Sequence, residues 1–105
     1  MSVELVKKIY LITKDFPKEE IYGLVNQMRR SAVSIPSNIA EGKTRQHKNE
    51  YIQFLYVALA SCAELETQIV ISKELGYVTA ETATGLLEDL DHMCRMTRNL
   101  IKNLH

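Results

Sequence analysis

The chain has 105 residues, of which 46% are hydrophobic and 25% charged, and its formal net charge is zero. This length allows one domain with its own hydrophobic core, and the composition is that of a globular protein rather than a disordered one. Lys, Glu or Gln interrupts the longest apolar runs before the roughly 18 residues that a membrane span requires. We therefore expect a single domain over residues 1–105, no membrane span and a cytoplasmic location.

Two helices are predicted in the first half from apolar residues that recur in steps of three and four. The first helix covers about residues 2–14 and ends before Pro17, which disfavours helical geometry at the residue before it. Its predicted core residues are Val6, Ile9, Tyr10 and Thr13. The second helix begins near Lys18, and its apolar seam comprises Ile21, Val25, Met28, Ala32, Ile35 and Ile39. Because this seam continues through Pro36, we expect one helix that is kinked at Pro36 and ends at Gly42 and Lys43.

The second half predicts two longer helices. The third covers about residues 46–75 and is followed by Gly76, a residue that commonly ends helices. The fourth begins at Thr79, whose hydroxyl can cap the first turn, and continues to the end of the chain. Four helices with short connections predict an all-α protein, an antiparallel up-and-down four-helix bundle.

The third helix is apolar over more than one face. Its main seam comprises Leu55, Leu59, Cys62, Leu65 and Ile69, while Phe54, Tyr56, Val57 and Val70 lie off that seam. A stripe of this width predicts a second buried contact, either with another copy of the chain or with a neighbouring helix.

Charge is divided unevenly along the chain. Residues 1–48 contain nine Lys or Arg and five Asp or Glu, whereas residues 49–105 contain four and eight. The basic excess is densest at Arg29, Arg30, Lys43, Arg45 and Lys48. These residues are candidates for neutralising the phosphates of RNA or DNA. Alternatively, they form a solvated face or dock on the acidic segment at residues 88–91 of another subunit.

No pattern in the sequence indicates catalysis or a bound cofactor. Asp89 and His92 give only one part of the Glu-x-x-His arrangement of a dimetal centre, and the phosphate-loop, nucleophile-elbow and zinc-protease motifs are absent. Cys62 and Cys94 lie about equally far from the predicted turn near Tyr77, so antiparallel helices can bring them into one layer. We expect two free thiols, no metal and no enzymatic activity.

Four stretches of the sequence together resemble one known family. They are YGLVNQMRRSAVSIPSNIAEGKTR at residues 22–45, FPKEE at 16–20, YIQFLYVALAS at 51–61 and ELETQIVISKELGY at 64–77. In their order along the chain, these stretches resemble those of the four-helix-bundle proteins encoded in intervening sequences of bacterial 23S rRNA genes. That family in turn resembles the accessory proteins of diversity-generating retroelements. The resemblance implies a homo-oligomer, most simply a pentamer, that contacts nucleic acid and a partner protein.

The segment around Pro36 has two interpretations. As the core of the family motif, Pro36, Asn38, Glu41 and Gly42 would have a functional role. Geometry alone also explains them, because Asn38 can bond to backbone groups freed by the proline, Glu41 can pair with Arg45, and Gly42 can end the helix. The sequence favours the structural interpretation.

Overall fold

The structure, a computed structural model, describes residues 2–105 and consists of four α-helices with no strand in that range. The helices are α1 (Ser2–Thr13), α2 (Asn26–Lys43), α3 (Lys48–Glu74) and α4 (Ala80–Leu104). Consecutive helices run antiparallel and pack around a shared core. The predicted four-helix bundle is confirmed.

The core face of α1 differs by one residue from the predicted seam. Leu5, Ile9 and Thr13 are buried, whereas Tyr10 is 42% exposed. The spacing of four residues places the three buried side chains in one row. The prediction of Tyr10 as a core residue was therefore wrong, and Leu5 lies in the core instead.

The connection from α1 to α2 is an irregular elbow. The chain leaves α1 after Thr13, forms a 3-10 turn at Lys18–Glu20 and a wide π-type turn at Ile21–Val25, and then enters α2. Within the wide turn, Gly23 has φ −117° and ψ −109°, so the backbone departs from helical geometry there. As a result Ile21, predicted as the first core residue of the second helix, is exposed, and the regular α-helix begins later than predicted.

Inside α2 the helix continues through Pro36, as predicted. Met28, Ala32 and Ile35 are all fully buried, so the proline does not disturb the apolar register. Asn38 Nδ2 donates to the carbonyl oxygen of Ser34 and to its hydroxyl, each at 2.8 Å. The proline leaves the carbonyl oxygen of Ala32 without its helical donor. The Asn38 amide does not replace that missing bond; it bonds instead to Ser34, across the turn that contains the proline.

Gly42 has a different role from the predicted one. It lies in the last turn of α2, with no positive φ, and is buried against α3. A Cβ at this position would lie 2.8 Å from Tyr51 Cδ1 and 2.9 Å from Phe54 Cβ. The glycine is required because two helices approach closely at this point, and the helix itself continues to Lys43.

The α3–α4 turn follows the sequence prediction closely. Gly76 has φ +79°, its N–H donates to the carbonyl of Lys73 at 3.0 Å, and the Tyr77 N–H donates to that of Ser72 at 2.9 Å. These two bonds form a Schellman motif that satisfies the last carbonyls of α3. Thr79 Oγ1 accepts from the Thr82 N–H at 3.0 Å and caps α4, as expected.

The apolar core has two parts. The larger involves all four helices and is centred on Ile9, Met28, Leu65, Ile69 and Leu90. The smaller joins Ile52 and Leu55, near the start of α3, to Ile101, near the end of α4. The last turns of α4 therefore pack beside the first turns of α3, at the same end of the bundle as the α2–α3 turn.

The two cysteines meet between α3 and α4, as their spacing suggested, and both are free thiols. Cys62 is 1% exposed. Burial is the main cause that raises the pKa of its thiol to about 12, and the hydrogen bond with Cys94 raises it further. The neutral thiol is therefore the stable form in the folded protein.

Candidate nucleic-acid interface

The five basic residues singled out in the sequence fall into two separate groups. Arg29 and Arg30 lie near the beginning of α2, whereas Lys43, Arg45 and Lys48 lie at its end and at the start of α3. The helical rise between Arg30 and Lys43 separates the two groups by about 20 Å. They do not form one continuous surface.

Arg29 is used inside the protein. Its Nε donates to Thr13 Oγ1 at 2.9 Å, its Nη2 donates to the carbonyl oxygen of Tyr10 at 3.3 Å, and its guanidinium carbon lies 4.6 Å from the centre of the Tyr10 ring. These contacts satisfy part of the carboxyl end of α1, where carbonyl oxygens lack helical partners. Arg29 fastens α1 to α2 and contributes little free charge to a ligand.

Arg30 faces a polar cleft between α2 and α3, and its side chain has no hydrogen bond or ion pair with another of residues 2–105. Ser31, Ser61, Gln68 and Glu64 also line this cleft. Within the described part of the chain, Arg30 and Glu64 do not form an ion pair. Arg30 thus shares its surroundings with a carboxylate, which does not favour a phosphate ligand.

The other three cations surround the α2–α3 turn. Arg45 pairs with Glu41 at 2.8 Å, the predicted ion pair, and its guanidinium carbon lies 4.6 Å from the centre of the Phe54 ring. Lys43 and Lys48 are exposed, and neither side chain has a hydrogen bond or ion pair with another residue in the described range. This turn is therefore the most accessible part of the predicted basic surface.

The carboxyl-terminal half of α4 adds cations that the sequence analysis did not assign to this surface. Arg98 and Lys102 are exposed on the last turns of α4, at the same end of the bundle as the α2–α3 turn. We call Lys43, Arg45, Lys48, Arg98 and Lys102 together the basic end. The signal in the sequence is that residues 42–49 and 92–105 contain six Lys or Arg and no Asp or Glu.

Two acidic residues of α4 have ion-pair partners within the chain. Asp89 accepts from Lys8 at 2.6 Å, and Asp91 pairs with Arg95 at 3.2 Å. The acidic segment that the sequence offered as a docking site for another subunit is therefore partly neutralised.

Some of the exposed apolar side chains lie on α3 and α1. On α3, Tyr56, Val57, Val70 and Ile71 are 42–51% exposed, whereas Phe54 packs against the end of α2 and covers a neighbouring helix. On α1, Val3 and Leu11 are exposed on the side away from the core. The wide stripe of α3 is therefore only partly explained by packing within one chain.

α3 is long and apolar enough to cross a membrane, by length and composition alone. An 18-residue window of Lys48–Glu74 has a mean hydropathy of 1.5, and 39% of it is buried. The central helix of a bundle has the same composition, since it contacts neighbours on several sides.

Nothing in the described residues assembles a metal centre. No group of three or more His, Cys, Asp or Glu side chains within residues 2–105 is arranged to hold an ion. Asp89 is bonded to Lys8, and His92 is exposed. The side chains at the basic end can instead bind anions through charge and hydrogen bonds.

The sequence model of the 23S rRNA-intervening sequence protein family matches residues 1–99 of the chain. No curated protein matches it. The structure is similar to the crystal structure of a protein of unknown function from the S23 ribosomal protein family of Bacteroides thetaiotaomicron VPI-5482. The TM-score is 0.89 at 24% sequence identity, over 96% of this chain and 94% of that one. At this identity the likeness supports the four-helix fold alone.

Proposed function

The chain belongs to the 23S rRNA-intervening sequence protein family, and we propose that it is a homo-oligomeric scaffold or adaptor, without enzymatic activity, that binds nucleic acid through the basic end. Its partners are then other copies of itself, RNA or DNA, and a partner protein held by the assembly. The nucleic-acid part of the proposal depends on a single observation. Two segments rich in Lys and Arg, distant in sequence, meet at one end of the bundle.

Charge at the basic end supports binding to phosphates. Among residues 2–105, Arg45 is the one of these five cations that pairs with a carboxylate, and Lys43 and Lys48 are exposed. Each such cation that contacts a phosphate releases a condensed counterion, which makes binding favourable and salt-dependent. The name of the family refers to 23S rRNA, so RNA is the first nucleic acid to test.

Self-association is supported by the exposed apolar side chains of α3. Val57, Val70 and Ile71 lie on the outer side of this helix, with the small residues Ala60 and Ala63 between them. Small residues allow the backbone of a second helix to approach closely, and the apolar side chains beside them gain from leaving water.

A ring is the form of assembly that these surfaces favour. The exposed apolar residues of α1, Val3 and Leu11, lie on a different side of the bundle from those of α3. Contact between two different surfaces is head-to-tail, and such contacts form a ring where the rotation between subunits closes and a filament where it does not. The pentamer implied by the resemblance to retroelement accessory proteins is such a ring.

The test combines mass by light scattering with titration of labelled RNA at two salt concentrations. Lys43→Glu/Lys48→Glu removes two cations of the basic end, and Lys14→Glu/Lys18→Glu makes the same charge change at the opposite end of the bundle. We expect the first variant alone to lose binding. For single strands, substituting glutamine for the same two lysines reduces the salt slope by about 1.4, since each phosphate contact contributes about 0.7.

The competing function is a structural interaction module with no nucleic-acid ligand. An oligomer that ignores RNA and DNA at low salt would leave that module as the remaining function. Equal losses of binding in the two lysine variants would contradict the basic end as the binding surface, because non-specific attraction depends only on total charge.

A further inference from the structure

A groove between α3 and α4 lies at the basic end of the bundle. Its volume is about 380 Å³, and it is lined by Tyr56, Leu59, Arg98, Ile101, Lys102 and His105. No carboxylate side chain is among these described residues. The groove is distinct from the α2–α3 turn, yet both lie at the same end, so one strand of nucleic acid can contact both.

The floor of the groove is apolar, and one wall is aromatic. Leu59 and Ile101 are partly or fully buried, whereas Tyr56 is 51% exposed. The Tyr56 ring has no aromatic or cationic partner among residues 2–105, in contrast to the Tyr10 and Phe54 rings, which arginines cover. A free ring beside an apolar floor suits a flat, weakly polar group such as a nucleobase.

Two cations stand on the α4 side of the groove. Arg98 and Lys102 are four residues apart and therefore neighbours on one helix face. They offset the partial negative charge of the helix's carboxyl end and leave a positive surface beside the aromatic wall. The combination of one aromatic ring, an apolar floor and two cations fits a base flanked by phosphates.

We propose that this groove binds one unstacked base of a single-stranded nucleic acid, with Tyr56 stacking on the base and Arg98 and Lys102 contacting the adjacent phosphates. The inference rests on the nucleic-acid binding proposed above and names its preferred substrate. A duplex keeps its bases stacked and paired, so it reaches the cations but not the groove. The protein therefore prefers single strands to duplexes of the same sequence.

The experiment compares two labelled RNA strands of equal length, one with all its bases and one with abasic residues in its centre. Binding of each strand is measured for the unchanged protein and for Tyr56→Ala, Tyr56→Phe and Tyr22→Ala. Tyr22 is the matched control, because it is 94% exposed and lies at the elbow, at the other end of the bundle. Circular dichroism and light scattering establish that each variant keeps its fold and its subunit number.

We expect Tyr56→Ala to weaken binding of the complete strand by about 5- to 150-fold, the range for loss of one stacked base. The abasic strand and the duplex should bind the variant as they bind the unchanged protein, because neither places a base in the groove. Tyr56→Phe should keep the affinity, since it keeps the ring, and Tyr22→Ala should change nothing. Arg98→Gln/Lys102→Gln should weaken both strands alike.

The groove assignment would be overturned by equal affinity of Tyr56→Ala and the unchanged protein for the complete strand. If Lys43→Glu/Lys48→Glu still abolished binding in that case, the proposed function would stand and only the groove would be removed. If no nucleic acid bound the unchanged protein, both proposals would fail together. A change of subunit number in Tyr56→Ala, without selective loss of the complete strand, would assign Tyr56 to the subunit contact instead.

Discussion

Gly42 at the end of α2 and Tyr51 at the start of α3 approach so closely that a Cβ on Gly42 would lie 2.8 Å from the tyrosine ring. The same Cβ would lie 2.9 Å from Phe54 Cβ, one turn further along α3. Arg45, in the turn between the two helices, lies over that same Phe54 ring. The position of Arg45 therefore depends on the close packing at Gly42.

We expect Gly42→Ala to destabilise the protein by about 1–3 kcal/mol, the usual cost of overpacking a close contact. Gly85→Ala is the matched control, because Gly85 lies within α4 and a Cβ there meets no atom within 4 Å. Alanine should stabilise the helix at that position by about 0.5–1 kcal/mol. Urea denaturation of both variants measures the difference, and equal effects would contradict the packing explanation.

Arg29→Met should destabilise the protein by about 1–2 kcal/mol, because hydrogen bonds from a charged donor to Thr13 and to the end of α1 are lost. Arg30→Met, one residue further along, should change stability by less than about 0.5 kcal/mol, as is usual for an exposed side chain without partners. Thermal or urea unfolding distinguishes the two. Similar losses in both variants would show that Arg29 does not fasten α1 to α2.

Cys62 should resist thiol reagents in the folded protein at pH 8.5, and Cys94, which is partly exposed, should react first. Burial raises the pKa of Cys62 to about 12, whereas the pKa of a cysteine in an unfolded chain is about 8.5. The unfolded state therefore loses this proton first as pH rises. The contribution of the Cys62 thiol to the free energy of unfolding is fully present below about pH 8.5 and is lost between that pH and about pH 12.

Mass spectrometry after alkylation with and without urea tests the order of reaction. The alkaline loss of stability should be smaller in Cys62→Ala than in the unchanged protein. Rapid alkylation of Cys62 without urea would contradict its burial between α3 and α4.

Tyr77 should titrate above the usual range for tyrosine. Its hydroxyl donates to Glu20 Oε2 at 2.8 Å, and this hydrogen bond, with some desolvation, raises the pKa of the phenol. Because the pKa of Tyr77 is raised in the folded protein, its phenol contributes to stability below the normal tyrosine pKa. This contribution is lost as pH rises through the pKa of the folded state. The absorbance titration of Tyr77→Phe, subtracted from that of the unchanged protein, isolates this group.

Glu20→Gln is the matched variant for this measurement. Removing the carboxylate should return the Tyr77 pKa towards its normal value while leaving the ring in contact with Phe16, whose centre lies 5.1 Å away. An unchanged pKa in Glu20→Gln would assign the shift to desolvation instead. The result also reports on the elbow, since Glu20, like Phe16, joins it to the α3–α4 turn.

Periodicity and turn chemistry are local properties, and they predicted the helices well. The bounds of α3 and α4, the Schellman turn at Gly76 and the cap at Thr79 all follow from neighbouring residues in the chain. The ion pair of Glu41 with Arg45 follows from helical spacing. The break at Gly23 was missed because the apolar seam passes through it without a change of phase.

The candidate site was predicted less completely than the fold. Lys43, Arg45 and Lys48 were found as a local excess of charge, but Arg29 proved to be bonded to α1, and Arg30 faces a carboxylate across a cleft. Arg98 and Lys102 were assigned to an acidic half of the chain because charge was summed over long segments. A shorter window would have separated residues 92–105, which contain no Asp or Glu.

Residues within a few positions of one another were enough to predict the fold class, the number and phase of the helices and the chemistry of the turns. The packing of the helices was needed to show which charges are free, why Gly42 must be glycine, and that the end of α4 lies beside the α2–α3 turn around a groove with an exposed Tyr56. These depend on which helix faces come together in space, and spacing along one helix does not specify the partner of each face.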